Sequence, residues 1–139
     1  MARNKRGFRG TGGRAASMPS CARRGVPKEL REQLALAGHL DGAGLVWCHV
    51  PNGGKRSTRE AVALKASGVK AGVSDVLVFS PPPCGGYVGV ALELKALDGS
   101  PSEEQREWLR LLYACGWATV VAYGCDDAVR QLRMLGYAL

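Results

Sequence analysis

Residues 87–95, Tyr-Val-Gly-Val-Ala-Leu-Glu-Leu-Lys, constrain this chain more than any other stretch. Successive side chains on a strand point to opposite faces, so Val88, Val90, Leu92 and Leu94 make one apolar face and Gly89, Ala91, Glu93 and Lys95 the other. The first face demands a covering layer. On the second, a carboxylate and an ammonium interrupt what is otherwise a core strand. Burying them costs several kcal/mol unless they pair with each other or meet a cation or a phosphate. Gly89 and Ala91 leave space next to them. This strand alone leaves two readings open: a site built on Glu93 and Lys95, or an ordinary ion pair at the end of an exposed strand face.

A second strand is expected at residues 75–80, joined to the first by Pro81-Pro82-Pro83-Cys84-Gly85-Gly86, which can only be a connection. Around this pair the chain reads as alternating helices and strands. Pro27 opens a helix with Leu30, Leu34 and Ala37 as its stripe and Gly38 as its stop. A strand at 45–50 is broken by Pro51-Asn52-Gly53-Gly54, and 57–66 is helical before turns at Gly68 and Gly72. Ser100-Pro101-Ser102-Glu103 offers a capping box with proline at the first helical position. The helix it opens carries Trp108, Leu109, Leu111, Leu112 and Cys115 and ends before Gly116. Strand 118–123 and helix 126–135 complete the order helix, strand, helix, strand, strand, helix, strand, helix, with no internal repeat.

At 139 residues, with 46% apolar and 22% charged, the chain has room for one folded domain. The net charge of +7 is unevenly placed. Residues 1–24 hold Arg3, Lys5, Arg6, Arg9, Arg14, Arg23 and Arg24 and no acid, while the other 12 basic residues are matched by 12 acids. Such a Gly/Arg/Ser-rich segment cannot bury enough apolar surface to order itself. It is either a basic arm that tracks phosphates or a terminus without a role. Domain boundaries are therefore expected as an arm at 1–24 and a body at 25–139. Five cysteines, Cys21, Cys48, Cys84, Cys115 and Cys125, are odd in number and form no C-x-x-C pair. That argues against a disulfide framework and a zinc knuckle. His39 and His49 lack the close spacing of a helical metal pair, so structural roles are expected for them. With neither a long apolar stretch nor a secretory leader, a soluble cytoplasmic protein without membrane contact is expected.

Asp75 joins the strand pair to the chemistry. It stands at the start of its strand, in Gly72-Val73-Ser74-Asp75, and pairing the two strands brings its carboxylate beside Glu93. Two acids converging with a lysine suit a hard divalent cation, Mg²⁺ or Mn²⁺. The lysine can orient or activate a water, or stabilise charge on a phosphate. Alone, an aspartate at a strand start is an ordinary turn residue. Gln105 precedes Leu109 and Leu112 at helical spacing. It either faces a polar site or is a first-turn glutamine whose amide reaches water.

These residues, in this order, resemble the PD-(D/E)XK nuclease superfamily, and more closely its VRR-NUC branch, found at the end of the Fanconi-associated nuclease and as stand-alone phage and bacterial proteins. The likeness rests on Val50-Pro51-Asn52-Gly53-Gly54, on Leu64-Lys65-Ala66-Ser67-Gly68-Val69-Lys70-Ala71-Gly72-Val73-Ser74-Asp75, on Glu93-Leu94-Lys95, on Ser102-x-x-Gln105 with Trp108-Leu109, and on Gly116-Trp117. It covers roughly residues 27–137. What the resemblance implies is an α/β fold with a mixed central sheet flanked by helices, like that of the restriction endonucleases. It makes Asp75 and Glu93 metal ligands, with the main-chain carbonyl of Leu94 a third. Lys95 then positions the attacking water, and Gln105 helps at the phosphate. The family also uses a first-helix glutamate four residues before a glutamine, a spacing matched by Glu29 and Gln33, with Glu32 as a rival. Where the family usually has proline before the aspartate, this chain has Ser74.

The expected function is metal-dependent endonucleolytic hydrolysis of DNA, with Mg²⁺ or Mn²⁺ and without a nucleotide cofactor. By resemblance to the stand-alone members, the expected assembly is a homodimer and the expected substrate branched DNA, a four-way (Holliday) junction. A restriction- or repair-type nuclease acting on duplex, flap or nicked DNA would share every catalytic residue. A non-catalytic DNA-binding module would have no need for the trio. The DNA-binding candidates are Asn52, Lys55 and Arg56 in the loop and Arg3, Lys5 and Arg6 in the tail.

Overall fold

A computed structural model of the chain describes residues 25–51 and 57–139. Asn52, Lys55 and Arg56, the tail with Arg3, Lys5 and Arg6, and Cys21 lie outside the described residues. The elements run α1 (Lys28–Gly42), β1 (Trp47–His49), α2 (Thr58–Ala66), β2 (Val76–Val78), β3 (Val90–Lys95), α3 (Glu103–Ala114), β4 (Ala118–Tyr123) and α4 (Cys125–Met134). One sheet of order β1-β2-β3-β4 joins the strands, antiparallel across the first three and parallel between β3 and β4. This is the mixed sheet flanked by helices that the sequence implied.

Register sets the two faces. Val76 opposes Leu92, Val78 opposes Val90, and Val90 and Leu92 oppose Ala118 and Val120. Directly opposed residues share a face, so these form one apolar sheet surface. It is covered by Leu36 and Leu40 of α1 and Cys125, Ala128, Val129 and Leu132 of α4, all buried. Ala91 and Glu93 face the other way, toward α3. The space expected beside Gly89 is filled: a Cβ there would meet the Val78 carbonyl oxygen at 2.6 Å and the Trp117 ring at 2.7 Å. Trp117 in turn stands edge-on to Phe79, with ring centroids 5.7 Å apart.

Four local expectations are corrected. Gly38 does not stop α1, which runs on to Gly42 because Leu40 anchors its last turn in the core. Glycine costs only about 1 kcal/mol inside a helix, less than a buried leucine returns. The capping box of α3 is Ser102 with Gln105, two residues on from Ser100 and Glu103, and Pro101 precedes the cap. Of the α3 stripe, Trp108, Leu109 and Leu112 are half-buried, whereas Leu111 and Cys115 are exposed. β1 and β2 are three residues each, shorter than expected, because the ladder gives way to Ser80 Oγ accepting from Val46 N–H at 2.8 Å.

Candidate active site

The end of β3 is where the sheet runs out of backbone partners on its β2 side. β2 starts at Val76, opposite Leu92, so Leu94, two residues on, has no β2 residue across from it, while Ala122 of β4 pairs it on the other side. Its N–H donates instead to Asp75 Oδ2 at 3.0 Å. A buried amide must find an acceptor, and here a carboxylate supplies it. The Asp75 main chain is held from the opposite side: its carbonyl accepts from Val50 N–H at 2.8 Å and from His49 Nδ1 at 2.9 Å. Because a carbonyl can only accept, this contact places the imidazole proton on Nδ1. His49 thus has the structural role expected of it.

Glu93 is fully buried, and its neighbours divide its two oxygens. Lys95 Nζ lies 2.9 Å from Oε1, and the Gln105 amide donates to the same atom. Lys95 also donates to Gln105 Oε1 at 2.8 Å, closing a triangle of three side chains. Gln105 Oε1 accepts in addition from Ser102 N–H at 2.9 Å, as the N3 member of the capping box. The helix cap and the triangle therefore share one side chain. Glu93 Oε2 is buried with no hydrogen-bond partner. Burial pushes the Glu93 carboxyl up, Lys95 pulls it back down, and the neighbouring Asp75 charge pushes it up again.

An orphaned, desolvated carboxylate oxygen beside a second carboxylate is what a hard cation would satisfy, so the donors present fit Mg²⁺ or Mn²⁺. Among the described residues no group of three His, Cys, Asp or Glu side chains is close enough to hold a metal. A third protein ligand must then come from the main chain or from outside this pair of acids.

The other candidates are placed as follows. Glu29 is exposed in the first turn of α1 and does not join the two acids. Glu32 is half-buried, and its Oε2 accepts from Cys125 N–H at 2.7 Å, capping α4, which has no side-chain cap of its own. This tie went unseen in the sequence because it spans 93 residues and depends on how α1 packs on α4. Gln33 Nε2 is buried without a partner, as is Ser74 Oγ immediately before Asp75. Gly72 was legible as a turn but not as a contact. With φ +82 it lies so close to α3 that a Cβ would stand 2.7 Å from the main-chain carbon of Glu104. That approach presses the segment leading to Asp75 against the turn carrying Gln105. Among the described residues Cys48, Cys84, Cys115 and Cys125 are free thiols.

The chain matches the family model of the VRR-NUC domain over residues 27–126. It belongs to the VRR-NUC family. Two solved structures share the fold. One, described as a VRR_NUC domain protein, aligns with a TM-score of 0.62 at 22% identity, covering 81% of this chain and 89% of the other. A second, described as a VRR_NUC domain, aligns with a TM-score of 0.55 at 16% identity, covering 78% and 97%. No curated protein matches. Membership makes this VRR-NUC chain a nuclease of the PD-(D/E)XK type with DNA as its substrate, in a family whose domains are typically dependent on divalent metal. No helix among the described residues is long and apolar enough to cross a membrane.

Proposed function

We propose that this VRR-NUC chain is a Mg²⁺- or Mn²⁺-dependent endodeoxyribonuclease that cuts branched DNA, specifically four-way junctions, as a homodimer. The observation that carries the metal-dependent reading is Glu93 Oε2, buried and unpartnered beside Asp75. The carboxylates of Asp75 and Glu93 and the carbonyl of Leu94 would hold the ion, which would polarise the phosphate and stabilise the leaving oxygen. Lys95 orients the attacking water or steadies charge on the phosphate, and Gln105 fixes Lys95 and Glu93 through the triangle. For the first-helix acid Glu29 is favoured over Glu32. The spacing to Gln33 is its support, and the rival Glu32 carboxylate is committed to capping α4.

The junction and the dimer rest on resemblance to stand-alone members, in which two-fold enzymes suit two-fold substrates. The basic segment 1–24, with Arg3, Lys5 and Arg6, and the loop residues Asn52, Lys55 and Arg56 are assigned to DNA binding, and 25–139 to the catalytic body. The test is cleavage of labelled four-way junction, flap, nicked and linear duplex with Mg²⁺, with Mn²⁺ and with chelator, alongside sedimentation to fix the oligomeric state. Symmetrical cuts confined to the junction are expected, and equal cutting of linear duplex would refute the junction reading. Full metal-dependent cleavage by Lys95→Ala or Glu93→Ala would refute the site.

A further inference from the structure

Helix α2 is the element that the fold leaves uncommitted. None of its nine residues is buried, and Val62 is 65% exposed. Its cationic side chains are equally unengaged: among the described residues the side chains of Arg59, Lys65 and, just beyond the helix, Lys70 make no ion pair and no hydrogen bond. Elsewhere Lys95, Arg110 and Arg130 are each paired with an acid, and Lys28 and Arg31 of α1, like the α2 cations, make no ion pair among the described residues. The one acid of α2, Glu60, is turned back to the helix start, where Oε2 accepts from the Ser57 N–H at 3.0 Å and from its hydroxyl at 2.9 Å. A helix that buries nothing and spends its carboxylate on its own cap presents a net positive surface.

The position of this helix gives that charge a use. Gly72 presses against Glu104, the neighbour of Gln105, and Asp75 follows three residues later. Five residues of chain reach at most about 18 Å, so Lys70 stands within that distance of Asp75. Arg59 and Lys65 precede Lys70 in the chain, about 9 Å apart along the helix and about 120° apart around it. That arc suits a helix lying against a duplex, with phosphates on both flanks.

We infer that α2 and its exit, through Arg59, Lys65 and Lys70, form a DNA-backbone docking element that leads the substrate strand to Asp75. The inference rests on the nuclease reading and deepens it by naming phosphate contacts on the described surface. The occupant is the DNA backbone, since three unpaired cations on the segment that leads into Asp75 of a nuclease complement phosphates.

The test is fluorescence anisotropy of labelled duplex and four-way junction in chelator across roughly 50–200 mM salt, comparing wild type with the Arg59→Gln/Lys65→Gln/Lys70→Gln variant. Each phosphate contact contributes about 0.9 to the log–log salt slope, so the slope should fall by roughly 2–3 and affinity by about 10- to 100-fold at low salt. The Arg130→Gln/Arg133→Gln variant, altered on α4, should bind as wild type. If the triple variant fails to fold, the three single variants carry the test, each with a slope about 0.9 shallower. Unchanged affinity and slope in the α2 variants, or an equal loss in the α4 variant, would overturn the inference alone. Wild-type protein that binds no DNA would overturn the nuclease reading with it.

Discussion

Replacing Glu93 with glutamine measures what the protein spends on holding a carboxylate in that position. In the metal-free protein Glu93 is fully buried, with Oε1 occupied by Lys95 and Gln105 and Oε2 unpartnered. The amide still accepts from Lys95, but a charge-assisted bond worth about 1.5–3 kcal/mol becomes a neutral one worth about 0.5–1.5. Roughly 1 kcal/mol is lost. Against this, the repulsion with Asp75 disappears, and with it a buried unsatisfied charged oxygen that costs about 1–3 kcal/mol or more. The expected balance is about 1 kcal/mol of stabilisation, a rise of roughly 3–6 °C in Tm for a chain of this size. With Mn²⁺ about 100-fold above its Kd, wild type should gain about 2.7 kcal/mol and the variant nothing, so the order of melting inverts. Circular-dichroism melts in chelator and in Mn²⁺ read both effects, and cleavage should vanish in the variant. A Glu93→Gln protein that melts below wild type in chelator would refute the cost assigned to Oε2, and equal metal stabilisation of both would remove Glu93 from the metal. The pH dependence follows the same direction. The folded Glu93 carboxyl binds its proton more tightly than the unfolded value of 4.5, so its contribution to metal-free stability is full below that pH and is lost as pH rises through the raised value. Metal requires the ionised form, so metal affinity should climb through that window and then level off.

Gly72→Ala should cost about 2–3 kcal/mol, from the positive φ and from the collision with Glu104, and should slow cleavage by displacing the turn that carries Gln105; thermal melts and nicking rates measure the two effects. Ser74→Ala removes a buried hydroxyl without a partner and should raise stability by about 1 kcal/mol in urea titrations, an expectation that fails if the midpoint drops. Tyr137 donates to the Ser80 carbonyl at 2.5 Å, and burial, followed by the nearby Cys84, pushes its phenol up to about 12. Wild-type stability should therefore fall as pH rises from the ordinary tyrosine value of 10 through about 12. Tyr137→Phe should lack that slope while losing about 1 kcal/mol at neutral pH, as read by denaturant melts across the alkaline range.

The order of elements was readable because each carries local punctuation: prolines and paired glycines between strands, and serine caps before helices. The adjacency of Asp75 and Glu93 follows from period-two alternation plus the proline-rich connection, both local facts. Less readable were features decided by packing. Gly38 passes through α1 because Leu40 reaches the core, and a helix-stop rule cannot see that burial. Two serines precede α3, and Ser102 becomes the cap because Gln105 can then serve Lys95 and Glu93 as well as the helix. Glu32 meets the start of α4, and Gly72 meets Glu104, only once distant elements have docked.

The shared duty of Gln105 makes the first turn of α3 and the triangle around Lys95 a single cooperative unit. With Lys95 in its proposed role, fraying the helix end and disarming that lysine are one event, so a sequence change that loosens the cap is expected to register as a catalytic defect before it registers as unfolding. Amide exchange at Gln105 and Arg106 should report on readiness for chemistry, slowing when the site engages its substrate. Local order at one helix end becomes a gauge of whether the enzyme is in its competent state.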